Sequence, residues 1–154
     1  MDYLNYLYIA LGGALGATSR YIVSTWIYNK SEYLFPLGTF IVNIIGCFLL
    51  GVFSNLTLEK SVSPQIRMMI SVGFLGAFTT FSTFSLETLN IIKENNIGIA
   101  FLNITLSIII GLLAVWVGVA FTNFFNREKG KGVKNEVKEG LITIKNVTLK
   151  LHNK

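Results

Sequence analysis

The 154-residue sequence has little charge, one cysteine, one histidine and two prolines. Cys47 has no second cysteine to pair with, so an internal disulfide is excluded. His152 has no metal-ligating companion near it in the sequence. No nucleophile paired with a base, no metal-ligand cluster and no phosphate-binding loop is found, so the sequence gives no support for catalysis.

Apolar residues are abundant: they make up 52% of the chain, against 14% charged residues, and the mean hydropathy is +0.59. This composition indicates lipid as the surrounding solvent. Four long apolar stretches cover residues 3–28, 34–57, 67–92 and 97–125. Each is longer than the ~20 residues that a helix needs to cross a bilayer. The sequence therefore predicts an all-α integral membrane protein with four transmembrane helices.

Charge divides the chain into two parts. Residues 1–126 contain five basic and five acidic residues, whereas residues 127–154 contain eight basic and three acidic residues and carry the whole net charge of +5. We expect a four-helix membrane domain at 1–126 and a flexible basic tail at 127–154. The tail has no aromatic residue for base stacking, so anionic lipid or plain solvation is favoured over nucleic acid.

Polar residues inside apolar spans are expected to face other helices or a water-filled path. Gly12, Gly16 and Arg20 share one face of the first span, which indicates close helix packing that ends in a charge. Arg20 either reaches for the membrane surface or draws anions into a vestibule. Asn43, near the middle of the second span, either bonds another helix or offers N–H donors to an electron-rich ligand.

The third span contains the most unusual stretch, GFLGAFTTFSTFSLE from Gly73 to Glu87. Glycines and hydroxyls weaken a helix, so we expect a break between Gly76 and Thr80. Carbonyl oxygens freed by such a break can coordinate a hard cation. Phe81 and Phe84 follow, three residues apart. They either pack or turn their positive ring edges toward a small anion.

Three motifs, each in its own span, carry a family resemblance: GALGATSRY (13–21), GTFIVNIIGCFLLG (38–51) and the third-span stretch, with its TTFSTF run. Over residues 1–125 the chain resembles the CrcB/Fluc family of fluoride channels. The resemblance implies a fluoride-selective passive channel in the bacterial inner membrane that lets toxic fluoride leave the cell. It also implies an antiparallel dimer with two pores.

The resemblance further implies roles for individual residues. Asn43 would contact fluoride, and Phe81 and Phe84 would supply ring edges from both subunits. Backbone carbonyls of Gly76 and Thr79 would hold a structural, untransported sodium ion at the dimer centre. The remaining matches are the polar-track hydroxyls and the family arginine at the vestibule, namely Ser82, Thr83, Ser107 and Arg20. Asn103 departs from the pattern, because the family often has tyrosine there.

Two alternatives stay open. A small four-helix, proton-coupled multidrug exporter needs an exchangeable carboxylate inside the membrane, and Glu87 is the one internal candidate in the sequence. A membrane subunit without transport would leave the third-span motif unexplained.

The direction in which the chain inserts is a separate question. Loop charges balance at two on each side, which suits insertion both ways, but the basic tail favours cytoplasmic termini. An antiparallel homodimer is preferred because early helices usually dominate insertion, and a heterodimer with a related subunit is the other possibility.

Overall fold

A computed structural model describes residues 3–30, 33–59 and 62–152, with side chains described up to residue 57 in the second range and residue 126 in the third. Within these ranges the chain is helical and contains no strand. The elements in chain order are α1 (Tyr3–Tyr28), α2 (Leu37–Glu59), α3 (Pro64–Arg67), a π-helix termed π1 (Met68–Leu75), α4 (Gly76–Phe78), α5 (Phe81–Lys93) and α6 (Ile97–His152).

Three helical segments of the described chain are long and apolar enough to cross a membrane: Leu37–Thr57, Pro64–Lys93 and Ile97–Asn126. They correspond to the second, third and fourth predicted spans. The first predicted span forms α1, whose 26 residues give sufficient length. Its glycines, hydroxyls and Arg20 lower its hydropathy, and it is not among the three. The all-helical prediction is confirmed, whereas four crossings remain a prediction.

The third span begins where the sequence indicates. Pro64 occupies the first turn of α3, where its missing N–H leaves no helical bond unmade. Ser63 caps the turn, because its side-chain oxygen accepts a hydrogen bond from the Ile66 N–H at 3.4 Å. A proline and a capping serine together fix the start of this span.

The chain divides into two compact units, residues 1–120 and 121–154. The second unit continues α6 to His152, and the Phe121 and Phe125 rings lie 4.8 Å apart within it. The side chains of the basic tail lie outside the described part of the chain, as do Asp2 and Lys60. A domain boundary at residue 126 and a flexible tail stay predictions.

Glycines on α1 let this helix approach π1 closely. A Cβ atom at Gly12 would lie 2.1 Å from the Met69 carbonyl oxygen, and one at Gly16 would lie 2.2 Å from the Phe74 carbonyl oxygen. Real Cβ contacts essentially never fall below 3.0 Å, so only glycine fits at either position. The packing face indicated by the spacing of these glycines is confirmed, and it fixes α1 beside the start of the broken span.

Candidate functional site

The third span is interrupted at two residues. Thr79 (φ −79°, ψ 155°) and Thr80 (φ −147°, ψ 113°) are extended, so α4 ends at Phe78 and α5 starts at Phe81. The predicted break is confirmed, but its extent needs correction at Gly76. That residue is helical (φ −64°, ψ −32°), because its N–H still bonds carbonyls of π1.

Asn43 of α2 braces this break. The Thr80 N–H donates to Asn43 Oδ1 at 2.8 Å, and Asn43 Nδ2 donates to the Thr80 carbonyl oxygen at 3.1 Å. The carboxamide oxygen therefore replaces the helical bond that the Thr80 N–H loses by being extended, and the amide nitrogen adds a donor to the carbonyl of the residue that caps α5. In lipid an unmade backbone bond costs several kcal/mol, so this pair explains how the break is tolerated.

The same pair fixes which way the Asn43 amide points. The Thr80 N–H needs an acceptor, so the Asn43 atom that faces it is the amide oxygen. The amide nitrogen is therefore the atom that faces the Thr80 carbonyl. An amide nitrogen carries two N–H groups, and the Thr80 carbonyl takes one of them. The second is available on a side chain that also lines the groove described below. Asn43 can thus brace the backbone and present a donor at once.

Arg20 of α1 donates a hydrogen bond to the helical turn that precedes the break. Its Nε donates to the Ala77 carbonyl oxygen at 3.2 Å. In a continuous helix that carbonyl would accept from the N–H of Phe81, which starts α5 instead. The structure thus places Arg20 on the end of α4, a contact that neither interpretation of the sequence anticipated.

A groove of about 330 Å³ runs along the broken span between α2 and α6. It brings together six residues singled out in the sequence: Asn43, Gly76, Thr79, Phe81, Phe84 and Ser107. The Phe81 and Phe84 ring centroids lie 5.7 Å apart with the ring planes inclined at 39°. Phe81 is 79% exposed in the single chain, so its ring has little packing within it.

Two further predicted residues, Ser82 and Thr83, are not among the groove-lining residues. They belong to the cap of α5, which Thr80 provides. The Thr83 N–H donates to Thr80 Oγ1 at 3.2 Å, and Thr80 Oγ1 donates to Thr83 Oγ1 at 2.9 Å. The Ser82 and Thr80 hydroxyl oxygens are 3.4 Å apart. These hydroxyls therefore stabilise the restart of the helix.

Asn103, the departure from the family pattern, is buried and lies outside the groove lining. Its Nδ2 donates to Thr88 Oγ1 at 2.8 Å, which ties α6 to α5. Ser107 Oγ contacts Asn103 Oδ1 at the outer limit of hydrogen bonding, 3.5 Å. Asn103 thereby connects a groove residue to the interior of the unit.

The roles of two further residues, Gly46 and Tyr28, are visible only in the structure. Gly46 makes room for the break, because a Cβ atom there would lie 2.2 Å from Thr79 Cγ2. Tyr28 donates to Glu87 Oε1 at 2.5 Å, and Thr39 Oγ1 donates to the same oxygen at 2.9 Å. Thr39, Asn43 and Gly46 follow one another at steps of four and three residues, a spacing that places them on one side of α2, whereas Tyr28 has no such signal in the sequence.

Comparison with known proteins identifies the family. Residues 7–119 match the model of the family described as CrcB-like protein, Camphor Resistance (CrcB). A protein of Acidobacterium capsulatum named fluoride-specific ion channel FluC is 46% identical over 121 residues, covering 78% of this chain and 97% of that protein. Proteins of the same name from Geotalea daltonii and Hahella chejuensis are 42% and 47% identical, covering 77% and 75% of this chain and 96% and 92% of theirs. With its braced break, paired phenylalanines and hydroxyl-lined groove, the chain belongs to the CrcB family.

Proposed function

We propose that this protein is a fluoride-selective passive ion channel that lowers cytoplasmic fluoride. The observation that carries the proposal is the groove, in which an amide donor, two phenyl rings and a hydroxyl meet beside a helix break. Membership of a family whose curated relatives are named fluoride-specific ion channels supports the same conclusion.

The chemistry of the groove suits a small anion that has shed its water. Asn43 offers an N–H donor, Ser107 offers a hydroxyl, and phenyl rings present positive edges. No basic side chain lines the groove within the described residues, so an anion would not be trapped by a full positive charge. Conduction needs binding that is weak enough for the ion to leave.

We propose further that the working unit is an antiparallel homodimer in the bacterial inner membrane, with α1 as a fourth crossing. A helix of 26 residues is about 39 Å long, which exceeds the ~30 Å hydrocarbon core. In the dimer a second copy would cover the open groove and the exposed Phe81 ring. Each pore would then take its Phe81 ring from one subunit and its Phe84 ring from the other, so the groove of a single chain would contribute to both pores.

A structural sodium ion at the dimer centre, held by carbonyls of Gly76 and Thr79, is part of the proposal. In a continuous helix the Gly76 carbonyl would accept from the Thr80 N–H, which here donates to Asn43. That oxygen is therefore released from its usual partner. Carbonyl oxygen is the ligand type that hard cations prefer, so the residues fit the ion. Such an ion would supply fixed positive charge.

The test is fluoride and chloride efflux from liposomes containing purified protein, with and without a proton gradient. We expect fluoride efflux without chloride efflux, at rates above those of an alternating-access carrier and independent of the gradient. Strict dependence on the gradient would favour the proton-coupled exporter. Equal chloride efflux would refute selectivity.

A thiol-labelling experiment tests the antiparallel arrangement. Cys47 is replaced by alanine, a single cysteine is placed at residue 153, and intact cells are treated with an impermeant thiol reagent. Labelling of about half the copies is expected for dual insertion, because half of the tails would be exported. Labelling only after lysis would rule out the homodimer and indicate a heterodimer.

A further inference from the structure

A polar cluster of Tyr28, Thr39 and Glu87 joins three helices away from the groove lining. Tyr28 ends α1, Thr39 lies in the first turn of α2, and Glu87 is in the middle of α5. Glu87 Oε1 accepts from the Tyr28 hydroxyl at 2.5 Å and from the Thr39 hydroxyl at 2.9 Å. One carboxylate oxygen of α5 thus accepts hydrogen bonds from both α1 and α2.

The Tyr28 ring packs closely against Gly38 in this cluster. A Cβ atom at Gly38 would lie 2.7 Å from Tyr28 Cε2, so the ring packs where only glycine leaves room. The Tyr28 hydroxyl oxygen also accepts from the Thr39 N–H at 3.3 Å. This N–H belongs to the first turn of α2, where backbone N–H groups have no acceptor within the helix, so Tyr28 supplies the missing acceptor.

The Glu87 carboxylate lies at the positive end of α2, where a helix favours negative charge. Its second oxygen, Oε2, is buried and has no hydrogen-bond partner among the described residues. Orientation of the carboxylate therefore depends on the bonds to Oε1. Along α5, Glu87 follows Thr83 by four residues and Phe84 by three, so it shares a side of the helix with the groove phenylalanine.

We propose that Tyr28 is a positioning residue for conduction. By binding Glu87 Oε1, it keeps the carboxylate against the start of α2 and prevents it from turning toward Phe84 and the groove. A negative charge that moved a few ångströms closer to the anion path would raise the energy of an anion there. This inference rests on the proposed fluoride conduction, because its main measurement is fluoride flux.

Tyr28→Phe is the primary variant, since it keeps the ring packed against Gly38 and removes only the hydroxyl. We expect fluoride efflux from liposomes to fall about tenfold, the effect of a unit charge that approaches the anion from roughly 8 Å to roughly 5 Å at an effective dielectric constant of about 20. Tyr21→Phe is the matched control, because Tyr21 is also on α1 and is 71% exposed. Its efflux should equal that of the parent protein.

The double variant Tyr28→Phe with Glu87→Gln distinguishes positioning from a general structural role. Glutamine keeps an oxygen for the Thr39 hydroxyl but carries no charge, so efflux should return to that of Glu87→Gln alone. Thermal midpoints should fall similarly in both Tyr28→Phe proteins, which separates stability from flux. If Tyr28→Phe does not fold, Thr39→Val serves instead, because it removes the other hydrogen bond to Glu87 Oε1 and should also lower efflux.

Parent-level efflux in folded Tyr28→Phe would overturn the inference. So would a double variant that is no better than Tyr28→Phe, since the loss would then not depend on the charge of Glu87. Failure of the proposed function has a different signature, because the parent protein itself would then pass no fluoride.

Discussion

Asn43→Asp is the substitution that separates the two roles of the Asn43 carboxamide. Aspartate retains an oxygen for the Thr80 N–H at 2.8 Å. It replaces the amide donor with a second oxygen, which would face the Thr80 carbonyl oxygen across 3.1 Å. One hydrogen bond is therefore exchanged for a repulsion, and a negative charge is added to the groove.

The two consequences differ in size. Exchanging the Asn43 N–H donor for an oxygen that repels the half-buried Thr80 carbonyl should lower the free energy of unfolding by about 1–3 kcal/mol. A unit charge ~4 Å from a passing anion costs about 4 kcal/mol at an effective dielectric constant near 20, which is roughly a thousandfold in rate. Fluoride flux should therefore fall far more than stability does.

Acidic pH should reverse part of the stability loss. A protonated aspartate can donate its O–H to the Thr80 carbonyl while still accepting from the Thr80 N–H, as asparagine does. Because the folded protein then favours the protonated form, stability of the variant rises as pH falls. The parent protein has no such group at this position.

The measurements are thermal unfolding of purified protein at neutral and acidic pH and fluoride efflux from liposomes. Asn90→Asp is the matched control, since the same chemical change is made on the exposed side of α5. A variant with parent-like stability and flux at neutral pH would refute the bracing role of Asn43. Lower stability with unchanged flux would refute the donor role alone.

Three further predictions concern the rings, the helix packing and the cation. Replacing Phe81 or Phe84 by isoleucine should abolish fluoride efflux in a protein that still folds, because bulk is kept and the polarised ring edge is lost; unchanged efflux would assign the rings to packing. Gly16→Ala should cost about 1–3 kcal/mol of stability in thermal or chemical unfolding, whereas Gly13→Ala, with its Cβ 3.9 Å from the nearest backbone atom, should be tolerated. Exchange of sodium for a bulky organic cation should weaken dimer assembly, measured by size-exclusion chromatography; an unaffected dimer would argue against the sodium site.

Much of the architecture follows from the sequence alone. Long apolar stretches dictate helices, because in lipid a segment must satisfy its own backbone hydrogen bonds. Glycines four apart on α1 indicate a packing face, and the glycine-threonine run predicts a break. These features depend on neighbours a few residues away, so the pattern of residues contains the necessary information.

Contacts between distant residues were decided by the tertiary structure. Which residues leave the helix depends on Asn43, 37 positions before Thr80, so the interruption falls at Thr79 and Thr80 and leaves Gly76 helical. The contact of Arg20 with Ala77 bridges 57 positions, and that of Tyr28 with Glu87 bridges 59. Hydrogen bonds depend on distance and direction in space, and the packing of whole helices sets both.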